Sequence, residues 1–295
     1  MLIVIACRKK VENFFDDDNK WGRLQDTSEI YKNNLHIYQK MLHEIEEEPV
    51  QIPLHIYQTY KNVPLTGVIA EAHELLKKQN PEFTFHLYDD DMCREFIKQN
   101  YDDDVLYAYD NLIPGAYKAD LWRYCILYKN GGIYADIKFV LSPNAKIKLI
   151  DLTDKEYYVR DVFVPDNGRK MTKYEGEYIY QALLISSPGN EIYLKCIEEI
   201  VRQVKEKDIS QGLLGITGPA LFGRIMHENM KYMIENINFN VKSLRNVITE
   251  LKFGASKINY ENDEFIIKYK SDEYYDTLQK DNKHYSEIWP NIFQE

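Results

Sequence analysis

The chain has 295 residues, enough for one large α/β domain with an extension or for two modest domains. Hydrophobic residues make up 44% of it, which supports a real core, and the formal net charge is -10 with no dense lysine or arginine stripe. That balance excludes a nucleic-acid binder that works by neutralising phosphates and favours a small or neutral substrate.

Cys7, Cys93, Cys125 and Cys196 are scattered, with no CxxC or metal-finger spacing, and read as reduced core residues. The apolar run at 2–7 is far shorter than the roughly 20 residues needed to span a bilayer. It also precedes its basic residues, whereas a secretory signal has its charge first. The run suits a first strand or a clipped anchor. The expectation is a cytoplasmic protein without a transmembrane segment, at most peripheral to a membrane.

Residues 9–50 are charge-rich, and a helix is expected over 28–47 from the partial stripe of Ile30, Tyr31, Leu35, Tyr38, Met41 and Leu42. This predicts a mainly helical N-terminal extension over 1–50 and a main domain over 51–295. The segment IPLHIYQTY reads as a buried first strand. A helix follows over 66–78, with Val68, Ile69, His73, Leu75 and Leu76 at helical spacing. Asn80 and Pro81 then turn the chain into a second strand, FTFHLY, and Asp89 to Asp91 can cap the next helix. Alternating strand and helix implies a parallel sheet with crossover helices. Ligands of such sheets bind at the carboxyl ends of the strands.

The stretch YKADLWRYCILYKNGGIYADIKFV is the most informative. Residues 117–128 are apolar almost all round and predict a helix buried on most sides. Asp120 and Arg123, three apart, share a helix face, so the pair either neutralises itself or points together into a polar cavity. Gly131 and Gly132 stop the helix. Residues 133–140 then alternate with period two, predicting a strand that carries Asp136 and Lys138 on one face. An internal ion pair for Asp120 and Arg123, and an ordinary strand-edge pair for Asp136 and Lys138, are the purely structural alternatives. Both pairs fall within one helix–glycine–strand unit, and that coincidence favours a site.

Further strands are expected over 157–164 and 178–186, with a polar loop over 165–176 between them. A helix over 190–205 follows, and Thr217, Gly218 and Pro219 open another with proline in its first turn. Beyond residue 236 come short β-like runs and the tail HYSEIWPNIF. The triplets Asp89–Asp91 and Asp102–Asp104 read as caps or solvated turns, and His55, His73 and His86 as packing.

DLWRYCILYKNGGIYADIKF resembles the signature of the sugar-binding-region glycosyltransferases of family 32, a D-x-x-R helix followed by GGxYxDxD. IPLHIYQTY is similar to that family's opening strand, YQALLISSPGNEIY to a later segment, and Thr217 to Pro219 to its TGP turn. The resemblance implies an α/β fold of the GT-A nucleotide-sugar-binding type, with a mostly parallel central sheet and helices on both faces, plus the N-terminal helical arm. It implies a retaining transfer of a hexose or N-acetylhexosamine from a UDP- or GDP-sugar to a glycan or glycoconjugate acceptor. Asp120, Arg123 and Asp136 would carry the reaction. Gln58, Thr59, Tyr60, Tyr134, Lys138 and Trp289 would join them around the donor, and Asp136 with His284 would hold Mn2+ or Mg2+. One position departs from the pattern: the second carboxylate of D-x-D is Lys138 here. Three readings stay open: a looser metal on Asp136, His284 and water, positive charge from Lys138 itself, or lost catalysis. The last would make the protein a non-catalytic nucleotide-sugar or glycan-binding relative.

Overall fold

The computed structural model describes residues 51–154, 156–161, 178–235, 251–254, 257–260, 263–270 and 285–294. The expected N-terminal extension, the loop over 165–176 and His284 lie outside the described residues.

The first strand, β1 (His55–Thr59), is buried on both faces, with Ile56 in one core and Tyr57 in the other. This is the condition of an inner parallel strand. It runs parallel to β2 (Thr84–Tyr88) on one side and to β3 (Gly132–Ala135) on the other. Between β1 and β2 lies α1 (Gly67–Gln79), which buries Val68, Ile69, Ala72, His73 and Leu76. Between β2 and β3 come α2 (Asp90–Asn100), α3 (Asp103–Asn111) and α4 (Gly115–Asn130).

The sheet continues through β6 (Tyr178–Ser186), β5 (Tyr157–Asp161), β7 (Leu251–Gly254), β8 (Lys257–Tyr260) and β9 (Asp263–Lys268) to β4 (Phe139–Leu141). Pairing is parallel in β2–β1–β3 and between β5 and β7, and antiparallel elsewhere. The helices α5 (Glu191–Glu206) and α6 (Pro219–Glu235) join α2 to α4 over one face, around Trp122, Tyr124, Tyr193 and Phe222. The core of the other face gathers Ala72 and Leu76 of α1 with Ile133, Phe139 and Leu183. Helices thus cover both faces, as expected. The single turn α7 (Tyr285–Ile288) leads the C-terminal segment back onto the α3–α4 junction, where Ile113 N donates to Ile292 O at 2.8 Å. Among the described residues no helix is long and apolar enough to cross a membrane.

Three local outcomes bear on the site. The acidic triplets cap as expected: Asp89 accepts from Met92 N at 2.8 Å, and Asp102 accepts from Val105 N at 3.1 Å. The second triplet therefore begins α3, a helix that the pattern did not signal. The single strand expected over 133–140 is corrected to two. β3 ends at Ala135, residues 136–138 make a tight turn closed by Phe139 N donating to Asp136 O at 3.0 Å, and β4 leaves to pair with β9. Both flanks of the turn are buried, so hydrophobic alternation ran through it unbroken.

Glycine is required at the end of α4. Gly131 and Gly132 have φ of +64° and +103°, a region costly for residues with a side chain. A Cβ on Gly132 would stand 2.8 Å from the His55 carbonyl oxygen, so its absence lets β3 approach β1. Gly132→Ala is expected to cost more than about 1 kcal/mol, because both the conformation and the space are wrong. A lowered denaturant midpoint at unchanged m-value is the check.

Candidate functional site

The parallel register that sets Tyr57 beside Tyr134 makes β1 and β3 end at the same edge of the sheet. From β1 the chain leaves through α1 on one face, whereas β3 is reached through α2 to α4 on the other. Strand connections that diverge to opposite faces open a crevice at the carboxyl ends, where ligands bind. Thr59, Tyr60 and Asp136 leave the strands there.

Behind this edge α4 supplies Asp120 and Arg123 from an almost wholly buried helix. Arg123 Nη2 lies 3.2 Å from Asp120 Oδ1, and its Nη1 lies 3.8 Å from Asp136 Oδ1. The same Nη1 donates to the Gln181 carbonyl at 2.5 Å, Nε donates to the Ala119 carbonyl at 3.1 Å, and the guanidinium sits 4.3 Å from the centre of the Tyr134 ring. Planar charge, fixed donors and an aromatic face suit arginine to such a place better than lysine. Asp136 accepts from Tyr134 Oη at 2.8 Å and forms an ion pair with Lys138 through Oδ2. Its own N–H donates to Ala182 O at 2.8 Å, and Tyr269 N donates to Lys138 O at 2.8 Å. Ile137 is buried at the tip of the turn in a cluster with Val68 and Ile69, against which Tyr60 packs.

The cluster therefore holds two carboxylates and two cations. Burial works to raise the Asp136 pKa, but attraction to Lys138 and Arg123, with hydrogen bonds from Lys138 and Tyr134, outweighs it and holds the carboxyl below its ordinary value. Asp120 shares only Arg123, and burial pushes its carboxyl up despite that pairing and a hydrogen bond from Thr217. The graded exposure fits this: Asp136 and Lys138 have side chains 18% and 17% exposed, Arg123 and Asp120 only 7% and 12%.

Sequence reasoning missed Thr217, read only as part of a helix-opening turn. Its side chain is fully buried and its Oγ1 donates to Asp120 Oδ2 at 2.8 Å. The turn carrying it is tied to α4 and α5: Tyr124 Oη donates to Thr217 O at 2.7 Å, and Gln203 Nε2 donates to Ile216 O at 3.1 Å. A threonine in a turn next to a proline gives no sign of a contact ninety-seven residues away.

The remaining expected residues divide. Gln58 points toward α1, where it is fully buried and its Oε1 accepts from His73 Nδ1 at 2.6 Å. Thr59 is half-buried, donating to Tyr88 O at 3.0 Å with Cys93 Sγ 3.4 Å from its hydroxyl. Trp289 is half-buried against the core of the helical face that contains Trp122 and Tyr124. His284 lies outside the described residues.

The donor set does not fit a divalent cation. Mn2+ and Mg2+ take several oxygen ligands. Here both oxygens of Asp136 are engaged by Tyr134 and Lys138, those of Asp120 by Arg123 and Thr217, and the Lys138 ammonium stands against Asp136. Among the described residues no three His, Cys, Asp or Glu side chains converge to hold a metal.

Residues 68–154, from α1 to just before β5, match the family described as "Glycosyltransferase sugar-binding region containing DXD motif". Over this segment the chain is similar to the sugar-binding region of those glycosyltransferases. Asp120, Arg123, Asp136 and Lys138 all fall inside the matched segment, and Thr217 outside it. An uncharacterized glycosyltransferase of Acanthamoeba polyphaga mimivirus is 37% identical over 87 residues, which are 30% of this chain and 34% of that protein. Inositol phosphoceramide mannosyltransferase 3 of Schizosaccharomyces pombe is 35% identical over 96 residues, 32% of this chain and 27% of that one. The initiation-specific alpha-1,6-mannosyltransferase of Candida albicans is 31% identical over 108 residues, 33% and 27% of the two chains. The chain thus spans about a third or less of the length of these curated relatives. Among solved structures, PaToxG glycosyltransferase is similar at 13% identity and a TM-score of 0.48, over 80% of this chain and 83% of that one. The catalytic domain of the alpha-toxin from Clostridium novyi is similar at 9% identity and a TM-score of 0.48, over 94% and 89%.

Two outcomes are expected at this cluster. Thr217→Val leaves a buried carboxylate short of a donor and is expected to cost roughly 1–3 kcal/mol, with Thr217→Ser restoring most of it. Paired denaturant melts decide this. For Asp136, a depressed folded pKa means that its stabilising contribution is full above its ordinary value of 3.8 and is lost as pH falls through the lower folded value. Lys138→Met removes one cause of the depression, so acid unfolding followed by circular dichroism should begin at a higher pH than in the unsubstituted protein.

Proposed function

We propose that this protein transfers a hexose or N-acetylhexosamine from a UDP- or GDP-sugar to a hydroxyl of a glycan or glycoconjugate, with retention of anomeric configuration. The observation that carries the reading is the buried Asp120–Arg123–Asp136 cluster at the carboxyl end of β3, inside the segment that matches the sugar-binding family. The relatives named as mannosyltransferases favour a hexose over an N-acetylhexosamine.

In the transfer, the bond from the anomeric carbon to the diphosphate oxygen breaks with its electron pair on the diphosphate. The acceptor oxygen forms the new bond to that carbon, and its proton leaves with the departing phosphate or to solvent. The cluster would act by position and charge. Asp136, the more exposed carboxylate, faces the sugar at the strand end. Asp120, fixed by Arg123 and Thr217, accepts from sugar or ribose hydroxyls once the donor enters. Arg123 keeps both carboxylates at set separation, and it is a positioning residue. Tyr60, beside the turn, and Thr59 line the entrance from the β1 side. No step is routed through a metal, because the described residues do not fit one.

A thermal-shift screen of UDP- and GDP-hexoses, followed by donor hydrolysis, tests the proposal. Ligands that bind only the folded state raise the melting temperature. Among these donors one is expected to do so and to be turned over. Asp136→Asn should then lower kcat by about 100-fold, in line with removing one electrostatic contact from a transition state. A melting temperature indifferent to every donor would sink the reading. Lys138 in the second acidic position favours one other outcome, binding without turnover, in which the donor shift survives but no hydrolysis is seen.

A further inference from the structure

We infer that Lys138 supplies the positive charge at the donor diphosphate that a D-x-D site obtains from a divalent cation, so that nucleotide binding here is independent of metal. The inference rests on the donor-site reading above and adds to it the source of the charge.

The argument begins with charge balance. The matched family is described by a DXD motif, and this chain reads Asp136-Ile137-Lys138 where its resemblance to that family puts the motif. Exchanging a carboxylate for an ammonium raises the local charge by two units, which is the charge a divalent cation carries. With Lys138, the cluster of Asp120, Asp136, Arg123 and Lys138 is formally neutral before any ligand enters. With an aspartate there it would hold three carboxylates against one guanidinium, and a dication would be needed to reach the same neutrality.

Geometry supports the same assignment. The turn from Asp136 to Lys138 places the ammonium on Asp136 Oδ2, at the crevice end of β3. Its position is fixed by three anchors independent of the ion pair: the Asp136 N–H on Ala182 O, the Lys138 carbonyl under Tyr269 N, and Ile137 buried beside Val68 and Ile69. A long side chain on a fixed turn is a movable point charge on a rigid base. Lysine suits a phosphate in this way, with three donors and no acceptor. The Lys138 side chain remains 17% exposed, more than twice Arg123, so of the two cations it is the one nearer to solvent and to an entering ligand. It sits against Asp136, and a diphosphate arriving at the turn would share or replace that partner rather than meet a bare charge.

The same ammonium opposes a metal. An ammonium cannot ligate a cation, and it repels one placed beside Asp136. With both oxygens of Asp136 already engaged, a divalent ion would have to break an ion pair to gain a single ligand.

The test uses the full chain with UDP and GDP as probes, each titrated calorimetrically in EDTA and in Mn2+. Whichever nucleotide binds should do so within about threefold of the same affinity in both buffers, and Lys138→Met should weaken it by about tenfold or more in EDTA, the scale of one charge-assisted hydrogen bond. Lys138→Arg, which keeps the charge, should retain most of the binding. Lys138→Asp should recreate a metal-dependent site, binding about tenfold or more tighter in Mn2+ than in EDTA. Melting curves of all three variants establish that they are folded. Nucleotide binding by the unsubstituted protein only in Mn2+, or binding by a folded Lys138→Met variant as tight as the unsubstituted protein's, overturns the inference while leaving the donor-site reading standing. Absence of nucleotide binding in either buffer overturns both.

Discussion

Everything at the carboxyl edge of β1 and β3 depends on one buried guanidinium. Arg123 lies between Asp120 and Asp136, covers the Tyr134 ring, and spends its remaining donors on the carbonyls of Ala119 and Gln181. A single side chain so joins α4, β3 and β6 at their polar contact. Removing a charge from water is costly unless partners replace the lost hydration, and here the partners come from α4 itself, from β3 and its turn, and from β6. The cost of burying the group is thereby converted into a constraint on how these elements may sit.

The constraint explains the unequal behaviour of the two aspartates. One guanidinium cannot fully neutralise two carboxylates. Among the described residues, Asp136 has Lys138 as a second cation, and Asp120 has the Thr217 hydroxyl in its place. The pair is consequently pushed apart in proton affinity, Asp136 down and Asp120 up. Groups separated in this way are what a site needs when it must hold charge at one point and accept hydrogen bonds at another.

Much of this was legible in the sequence, for a physical reason. The α4 helix, its glycine stop and β3 are set by local rules: apolar residues all round, left-handed conformations that only glycine takes freely, and alternation that tracks the pleat. Spacing alone brought Asp120 and Arg123 together. What escaped was set by contacts far along the chain. The turn at Asp136 looked like strand because both its flanks are buried. Gln58, expected around the donor from the resemblance alone, is instead held by His73 of α1, a contact that alternation along β1 does not announce. Thr217 owes its role to tertiary packing alone. The β-rich second half, where β5 pairs with β7 in parallel and β4 with β9, carries its register in long-range contacts that no local pattern encodes.

The separation of β3 from β4 in the sheet order has a consequence for how the protein comes into being. A turn of three residues joins two strands that find their partners in different parts of the chain: β3 lies between β1 and β6, and β4 pairs with β9. Pairings between distant segments form late, because chain entropy must be overcome before they contribute. The hydrogen bond from Tyr269 N to the Lys138 carbonyl is a contact of that long-range kind, made one residue beyond β9. The shape of the charged turn is thus held by a segment far along the chain as well as by the strands on either side of it.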